Sequence, residues 1–343
     1  MEATRTTTVR IGVIGVGRIG RMHAELLARR VPGAAVTWVH DAHGDSARGV
    51  AEQLGVSAAS GLDELLGAAD VDAVAICTST DTHADLIVAA AQAGKAIFCE
   101  KPVSLDLVEV DRALAAVAAA GVPFQIGFNR RFDPAHAAVA AAVAGGELGE
   151  PQLVRISSRD PAPPPMEYVA RSGGIFLDMT IHDFDMARFV AGSEVVEVYA
   201  RGGVRVDPAF TAAGDVDTAV VVLEHANGCL TTIDNSRQAV YGYDQRVEVF
   251  GSAGMAASEN PLAHSAVVRT AAGMRAATLP YFYLERYIPS YLGEWEAFVA
   301  AIAAGTTPLV TGPDARAPLV IGMAAWRSLR ECRPVRIEEV EST

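Results

Sequence analysis

The glycine-rich segment 15–20 (GVGRIG) constrains the fold of this chain more than any other stretch. It follows an apolar run that predicts a buried strand, and it opens a run whose apolar residues recur at helical spacing. A strand, a GxGxxG turn and a helix in that order indicate a dinucleotide-binding βαβ unit. In such a unit Gly15 makes the tight turn, Gly17 lets the backbone approach a pyrophosphate, and Gly20 lets helix and strand pack closely.

Strand and helix patterns continue to alternate after this motif, with apolar runs at 35–39, 73–76, 97–100 and 124–127. This alternation predicts an α/β fold with a doubly wound parallel sheet of the Rossmann type. Because 343 residues exceed the usual size of one hydrophobic core, two domains are expected. We place the first domain at 1–128 and the second at 129–343.

The second half of the chain carries a different pattern. Long runs with period-two alternation, such as 195–204 and 218–225, predict an α+β domain built on a large, mostly antiparallel open sheet. Asn227-Gly228 predicts a hairpin turn between two of its strands. Amphipathic helices are predicted at 292–304 and 315–332.

An acid, Asp41, follows the second predicted strand, about twenty residues beyond the last glycine of the motif. In a dinucleotide site such an acid accepts hydrogen bonds from the adenosine ribose and would repel a 2′-phosphate. No arginine immediately follows it, so the sequence predicts NAD rather than NADP. Thr78, Ser79 and His83 follow the strand at 73–76 and are positioned to line the path of the cofactor.

Lys101 is the first candidate for chemistry. It follows the apolar run 97–99, and ligands of open α/β sheets bind beyond the carboxyl ends of the strands. Pro102 keeps Lys101 out of the helical region and fixes the turn that directs its side chain. The alternative is a strand-end lysine paired with its neighbour, Glu100.

Asp178 and His182 form the second candidate. The apolar residues around them predict a buried helix, on which residues four apart share a face. A carboxylate one turn before a histidine can orient the imidazole and raise its basicity, as a general base for an alcohol proton requires. The alternatives are a surface i, i+4 pair and a metal cluster with Asp183 and Asp185, although no second histidine or cysteine lies nearby.

The segments GVGRIG (15–20), STDTH (79–83), CEKP (99–102) and QIGFNRRFD (125–133) together resemble the Gfo/Idh/MocA family of NAD(P)-dependent oxidoreductases. The resemblance covers essentially the whole chain. It implies an N-terminal Rossmann domain and a C-terminal domain whose open sheet supplies substrate contacts and often an oligomer interface. It also implies a catalytic triad of Lys101, Asp178 and His182.

Within the family, the segments 157–165 (SSRDPAPPP) and 241–244 (YGYD) are similar to those of the branch that acts on inositols. This resemblance implies NAD-dependent oxidation of the axial hydroxyl of myo-inositol to scyllo-inosose. Some members carry histidine and asparagine where this chain has Ser158 and Asp160, so another inositol isomer or a pyranose sugar stays open. A non-catalytic NAD-responsive sensor is a further alternative, although a sensor would be expected to lose Lys101 or His182.

Two sets of site residues are predicted on these grounds, and no metal site is predicted. The cofactor-binding set is Gly15, Gly17, Arg18, Ile19, Gly20, Asp41, Thr78, Ser79, His83, Glu100, Lys101 and Arg130. The substrate-binding set is Lys101, Arg130, Asp160, Asp178, Thr180, His182 and Tyr243.

Composition argues against macromolecular partners, and the family resemblance implies a small-molecule polyol. A net charge of −13 argues against nucleic acid, and the apolar stretches are too short to span a bilayer. The polar segment 1–10 carries no pattern of a leader peptide. Four scattered cysteines indicate reduced structural thiols. We therefore expect a cytoplasmic homo-oligomer, a dimer or tetramer, the oligomer being implied by the family resemblance.

Overall fold

The computed structural model describes residues 8–341. These residues form two compact units, one made of the residues up to 129 with 291–317, the other of 130–290 with the residues from 318. The sequence predicts a boundary near 128 but assigns everything after it to the second domain. The segment 291–317 returns to the first unit because the apolar side chains of Trp295, Phe298 and Val299 belong to that unit's core. The predicted absence of a leader peptide falls largely on residues 1–7, which lie outside the described residues.

The first unit alternates strands and helices, as predicted. Its elements are β1 (Val9–Ile14), α1 (Arg18–Arg29), β2 (Ala34–His40), α2 (Gly44–Leu54), β3 (Ser57–Ala58), α3 (Leu62–Gly67), β4 (Ala73–Ile76), α4 (Thr80–Gln92), β5 (Ala96–Glu100), α5 (Leu107–Ala120) and β6 (Phe124–Gly127).

The six strands of this unit form one parallel sheet in the order β3-β2-β1-β4-β5-β6. This is the strand order of the Rossmann fold, so the predicted fold class is confirmed. All four residues of β4 are buried, as expected for a strand with helices on both faces. The order reverses between β1 and β4, and the carboxyl ends of these two strands are where such sheets bind ligands.

A short 3₁₀ turn at 129–132 spans the boundary at which the second unit begins. The elements that follow in the chain are α6 (Pro134–Ala144), β7 (Pro151–Arg159), α7 (Met166–Val169), α8 (Gly174–Asp178), α9 (Ile181–Ala191), β8 (Val195–Gly203), α10 (Ala209–Ala212), β9 (Thr218–His225), β10 (Leu230–Ser236), β11 (Asp244–Gly251), β12 (Met255–Ser258), β13 (Val268–Thr270), β14 (Gly273–Arg275), α11 (Tyr283–Ala304), α12 (Gly312–Glu331), β15 (Val335–Arg336) and α13 (Glu338–Glu341). Helix α11 begins at Tyr283 rather than at 292 as predicted, because the helix continues through Pro289.

A seven-stranded sheet in the order β12-β11-β7-β10-β9-β8-β15 dominates this unit. All its neighbouring strands are antiparallel except β7 and β10, which are parallel, so the predicted mostly antiparallel sheet is confirmed. The predicted hairpin joins β9 to β10, with Gly228 in the left-handed region at a φ of 83°.

The two faces of this sheet differ in burial. One face carries Val154, Ile156 and Ile233, which pack with Phe184 and Met186 of α9 in the unit's core. The other face exposes apolar side chains that alternate with polar ones: Leu153, Val220, Val222, Leu230 and Phe250. Helix α9 and the core side chains therefore cover one face of the sheet, and the other face is exposed. In the part of the chain that the structure describes, no helix is long and apolar enough to cross a membrane.

Candidate active site

The glycine motif forms a close-packed turn between β1 and α1. A Cβ on Gly20 would lie 1.9 Å from the carbonyl oxygen of Gly15, and a Cβ on Gly15 would lie 2.8 Å from the backbone of Thr78. Gly15 also has a φ of 86°, in the left-handed region. A Cβ on Gly17, in contrast, would meet no heavy atom within 4 Å. Packing therefore requires two of the glycines, and the third leaves open space above the turn.

The N-terminus of α1 is suited to an anion. Its N-cap, Gly17, has no side chain that could cap the first N–H groups of the helix. The first turn, which begins with Arg18 and Ile19, holds no acidic residue. Helix N-termini present backbone N–H groups and the positive end of the helix dipole. A dinucleotide pyrophosphate fits this open, glycine-lined position.

Asp41, directly after β2, is tied to the glycine turn. One carboxylate oxygen accepts the N–H of Val16 and the other accepts the N–H of His43, both at 2.8 Å. Burial raises the pKa of Asp41, but these two hydrogen bonds together with the side chain of His43 outweigh burial, and the pKa is lowered. The side chain is therefore a fixed, ionised acceptor at the end of β2, as a ribose-binding acid must be.

His83, predicted to line the cofactor path, joins the segments that follow two neighbouring strands. Its Nδ1 lies 2.8 Å from the carbonyl oxygen of Pro102, and its Nε2 lies 3.1 Å from that of Thr78. The side chain is buried, and burial lowers its pKa. His83 thus fixes the turn that follows Lys101. Ser79 is the N-cap of α4 and is exposed.

Glu100, at the end of β5, belongs to a buried chain of hydrogen bonds within the first unit. The indole nitrogen of Trp295 donates to Nδ1 of His23 at 2.8 Å, and Nε2 of His23 lies 2.7 Å from Oε1 of Glu100. An indole nitrogen can only donate, so the imidazole proton sits on Nε2 and points at Glu100. Sequence reasoning missed His23 and Trp295, because Trp295 is brought to β5 from almost two hundred residues away by the return of 291–317.

Asp178 and His182 lie on two helices rather than on the single predicted helix. Asp178 ends α8, and α9 begins at Ile181. Thr180, between them, places its hydroxyl 3.1 Å from the carbonyl of Ile175 and 2.7 Å from Oδ1 of Asn235. This side chain competes for backbone groups, which interrupts the helical hydrogen-bond pattern at this point.

The carboxylate of Asp178 is held from two sides. Oδ1 accepts the hydroxyl of Tyr168 at 2.7 Å, and Oδ2 accepts Nη1 of Arg237 at 2.9 Å. The same Nη1 lies 3.5 Å from Oδ2 of Asp160. Burial raises the pKa of Asp160 to about 6, more than Arg237 lowers it. Asp178 and Asp160 therefore share one guanidinium.

Arg130 and Tyr243 belong to a second buried network. Nη1 of Arg130 donates to Asp183 at 2.7 Å and to Ser158 at 3.1 Å, and Nη2 lies 3.4 Å from the hydroxyl of Tyr243. Asn235 donates to the other oxygen of Asp183 at 2.8 Å. Because Asn235 also binds Thr180, this network connects β7 and β10 to the start of α9, where His182 lies.

Tyr168, Asn235 and Arg237 are site residues that sequence reasoning missed. Tyr168 and Arg237 meet at Asp178 although about seventy residues separate them, so no local spacing connects them. Arg237 does lie close to the quoted segment 241–244, which is the one signal that pointed to this stretch. Within residues 8–341, no group of three or more His, Cys, Asp or Glu side chains is arranged to hold a metal ion.

The Rossmann sheet, the open glycine turn and the ionised acid after β2 define a dinucleotide-binding protein. Comparison with known proteins supports this classification. Residues 9–128 match the model of the oxidoreductase family with an NAD-binding Rossmann fold, and residues 136–257 match the GFO/IDH/MocA C-terminal domain. The chain belongs to the Gfo/Idh/MocA family, and it is an NAD-dependent oxidoreductase.

Relatives in this family match over nearly the full length. A myo-inositol 2-dehydrogenase of Thermotoga maritima is 50% identical over 333 residues, which cover 97% of this chain and 99% of the relative. A crystal structure of a probable dehydrogenase from Thermotoga maritima, also 50% identical, superposes with a TM-score of 0.95 and covers 97% of this chain and 100% of that one. The scyllo-inositol dehydrogenase of Lactobacillus casei, solved with NAD(H) and scyllo-inositol, is 29% identical with a TM-score of 0.90, covering 97% and 100%.

Proposed function

We propose that this protein oxidises the axial hydroxyl of myo-inositol to the ketone scyllo-inosose with NAD. The observation that carries the proposal is the fixed carboxylate of Asp178, held by Tyr168 and Arg237, four residues before His182. The 50% identity to a myo-inositol 2-dehydrogenase supports the choice of substrate.

The proposed roles follow from alcohol chemistry. NAD, when bound, accepts the hydride that leaves the carbinol carbon. His182 takes the hydroxyl proton as general base, since hydride departs only as that proton is lost. Asp178 stabilises the imidazolium that forms, and Lys101 donates a hydrogen bond that favours the negative charge developing on the reacting oxygen.

The remaining hydroxyls of a polyol need fixed polar partners, and we propose Arg130, Asp160 and Tyr243 for this role. Their positions are set by the buried networks around Asp183 and Arg237. Thr180 is fully buried and lies 2.7 Å from Asn235, so it serves the substrate by fixing the start of α9.

The proposed cofactor-binding residues fall into groups that bind different parts of NAD. Gly15, Gly17, Arg18, Ile19 and Gly20 form the turn for the pyrophosphate. Asp41 binds the adenosine ribose. We propose that Thr78, Ser79, His83, Glu100, Lys101 and Arg130 serve the nicotinamide half of NAD.

The first experiment measures initial rates of NADH formation by the purified protein with NAD and myo-inositol, scyllo-inositol, D-chiro-inositol or glucose. We expect clear preference for myo-inositol. Activity confined to glucose would move the protein to another branch of the family. NAD binding without turnover of any polyol would contradict catalysis and favour an NAD-responsive sensor.

The second experiment tests the catalytic assignments. Lys101→Ala and His182→Ala should each lower kcat at least a hundredfold, since each removes a group that acts in the transition state, while NAD binding stays nearly intact. Lys95→Ala is the matched control, because Lys95 binds the backbone carbonyls of Ala68 and Val71. Near-normal turnover in either variant would contradict its assignment.

Scyllo-inositol is the second candidate substrate. The Lactobacillus casei enzyme solved with this ligand shares the fold at 29% identity. Ser158 and Asp160 replace the histidine and asparagine that some members of the branch carry, and Asp160 is a proposed substrate residue. The substrate panel above separates the two isomers.

We also propose a cytoplasmic homo-oligomer, a dimer or a tetramer. The apolar side chains exposed on one face of the seven-stranded sheet support the oligomer, because exposed apolar surface marks sites of protein–protein contact. Cys77, Cys99, Cys229 and Cys332 are free thiols, which supports a reducing compartment.

A further inference from the structure

Arg237 places one guanidinium between two carboxylates of the second unit. It directly follows β10, and its backbone N–H donates to the carbonyl of Asp217 at 2.8 Å. Its side chain is 3% exposed, with Nη1 2.9 Å from Asp178 and 3.5 Å from Asp160. Since Nε and Nη2 are buried without a hydrogen-bond partner, the directed interaction of this cation is with Asp178.

Further polar groups lie around Asp178. The Tyr168 hydroxyl binds Oδ1. Asp215 contributes a second negative charge, although its Oδ1 accepts the backbone N–H groups of Ile175 and Val216. His182 lies four residues later in the chain. Arg237 is a cation that stays charged at every pH of interest.

Two carboxylates compete for this cation. Asp178, 11% exposed, has the shorter contact and a hydrogen bond to Arg237, whereas Asp160 lies 3.5 Å from the same nitrogen and also lies in the field of the Arg130 charge. Burial raises the pKa of Asp160 to about 6, so Asp160 changes charge close to neutral pH. When Asp160 is neutral, the positive charge of Arg237 acts on Asp178 with less competition.

We propose that Arg237 is a positioning residue of the dehydrogenation, which keeps Asp178 ionised and fixed, and that Asp160 modulates this effect by competing for the same cation. This inference rests on the proposed function, because it requires Asp178 to stabilise the imidazolium of His182. The consequence is that variants at Arg237 and Asp160 should shift the pH dependence of kcat in opposite directions.

The first test replaces the cation. Arg237→Met keeps an extended side chain but removes the charge, so protonation of Asp178 becomes easier and the acidic limb of the kcat–pH profile moves to higher pH. We expect kcat at neutral pH to fall by about tenfold or more. Arg237→Lys restores a positive charge and should recover most of the activity and return the limb towards its original position.

The second test removes the competitor. Asp160→Asn deletes a negative neighbour of Asp178, so the acidic limb should move to lower pH. Because Asp160 is also a proposed substrate residue, KM will rise, and the readout is the pH profile of kcat at saturating myo-inositol. The opposite direction of the two shifts is what a merely structural role would not produce.

Arg188→Met is the matched control. Arg188 is a buried arginine of α9 that pairs with Glu194 and Asp185, so its loss should lower stability without moving the acidic limb. Circular dichroism and thermal unfolding establish that each variant is folded. If Arg237→Met unfolds the protein, the comparison of Arg237→Lys with Asp160→Asn replaces it. An acidic limb of the kcat–pH profile that moves to lower pH in Asp160→Asn supports the inference. An unmoved acidic limb overturns it.

The outcomes separate this inference from the function on which it rests. A wild-type protein inactive towards every polyol, or an Asp178→Asn variant with wild-type turnover, overturns the proposed function. An active wild type, an impaired Asp178→Asn variant and an unmoved acidic limb in folded Arg237→Met overturn only the role of Arg237.

Discussion

At the scale of single residues, Asp41 has a structural role in addition to its proposed role in selecting NAD. Its carboxylate accepts the N–H groups of Val16 and His43, and we propose that it also binds the adenosine ribose. The acid is thus fixed before the cofactor arrives, which lowers the cost of ordering it on binding.

Asp41→Ser should narrow the preference for NAD over NADP by at least about tenfold in kcat/KM, or about 1.4 kcal/mol. The reason is that the variant loses the charge that repels a 2′-phosphate. Asp45→Ser, an exposed acid of α2 paired with Arg48, is the control and should leave the ratio unchanged. An unchanged ratio in Asp41→Ser would remove its assigned role.

Asp160 should make the stability of the protein depend on pH. Its pKa of about 6 in the folded protein exceeds the ordinary value of 3.8, so the folded state binds the proton more tightly than the unfolded chain. Its stabilising effect is therefore present below about pH 4 and lost as the pH rises through about 6.

Relative to the wild type, Asp160→Asn should gain about 1–2 kcal/mol of unfolding free energy between about pH 4 and pH 7, which includes a reduction for the partly exposed carboxylate. Chemical denaturation at a series of pH values measures this difference. A difference that stays constant across the range would contradict the raised pKa.

At the scale of elements, the turn between β1 and α1 uses different glycines for close packing and for the proposed binding of NAD. Gly20 has no room for a Cβ, since the carbonyl oxygen of Gly15 would lie 1.9 Å away, whereas Gly17 has open space. Gly17 also has a φ of −64°, which any residue adopts.

Two alanine variants should therefore behave differently. Gly20→Ala should lower the free energy of unfolding by about 2 kcal/mol or more through overpacking, and weaken NAD binding with it. Gly17→Ala should leave the thermal midpoint unchanged and raise the Kd for NAD at least about tenfold, because the methyl group occupies the approach of the pyrophosphate. Equal loss of stability in both variants would contradict this division.

At the scale of the whole molecule, the sheet of the second unit leaves one apolar face exposed. Val222 lies on this face at 37% exposure, in β9 near the centre of the sheet. Val222→Glu should convert the proposed oligomer to smaller species in sedimentation velocity, because a buried unpaired charge at an interface costs several kcal/mol. Val108→Glu on α5, where the valine is 72% exposed, is the control and should not change the sedimentation coefficient. A Val222→Glu variant that sediments like the wild type would exclude this face as the interface.

Several features of the whole fold depend only on residues that are close together in the sequence. The Rossmann strand order, the mostly antiparallel sheet and the 227–228 hairpin were predictable, because each is written in spacings of a few residues. The single helix through Asp178 and His182 was a wrong prediction, since the hydroxyl of Thr180 finds a partner on β10 that local periodicity does not include.

The sequence by itself determined the parts of this protein that depend on neighbours along the chain: the glycine turn, the acid after β2, the lysine at the end of β5, and the order of the motifs that identifies the family. Tertiary structure alone decided the partners of those residues. It placed Arg237 and Tyr168 on Asp178, Trp295 and His23 behind Glu100, and His83 beneath the turn that follows Lys101. The physical reason is that side-chain charge and hydrogen bonding depend on distance in space, and folding brings together groups that no spacing in the sequence connects.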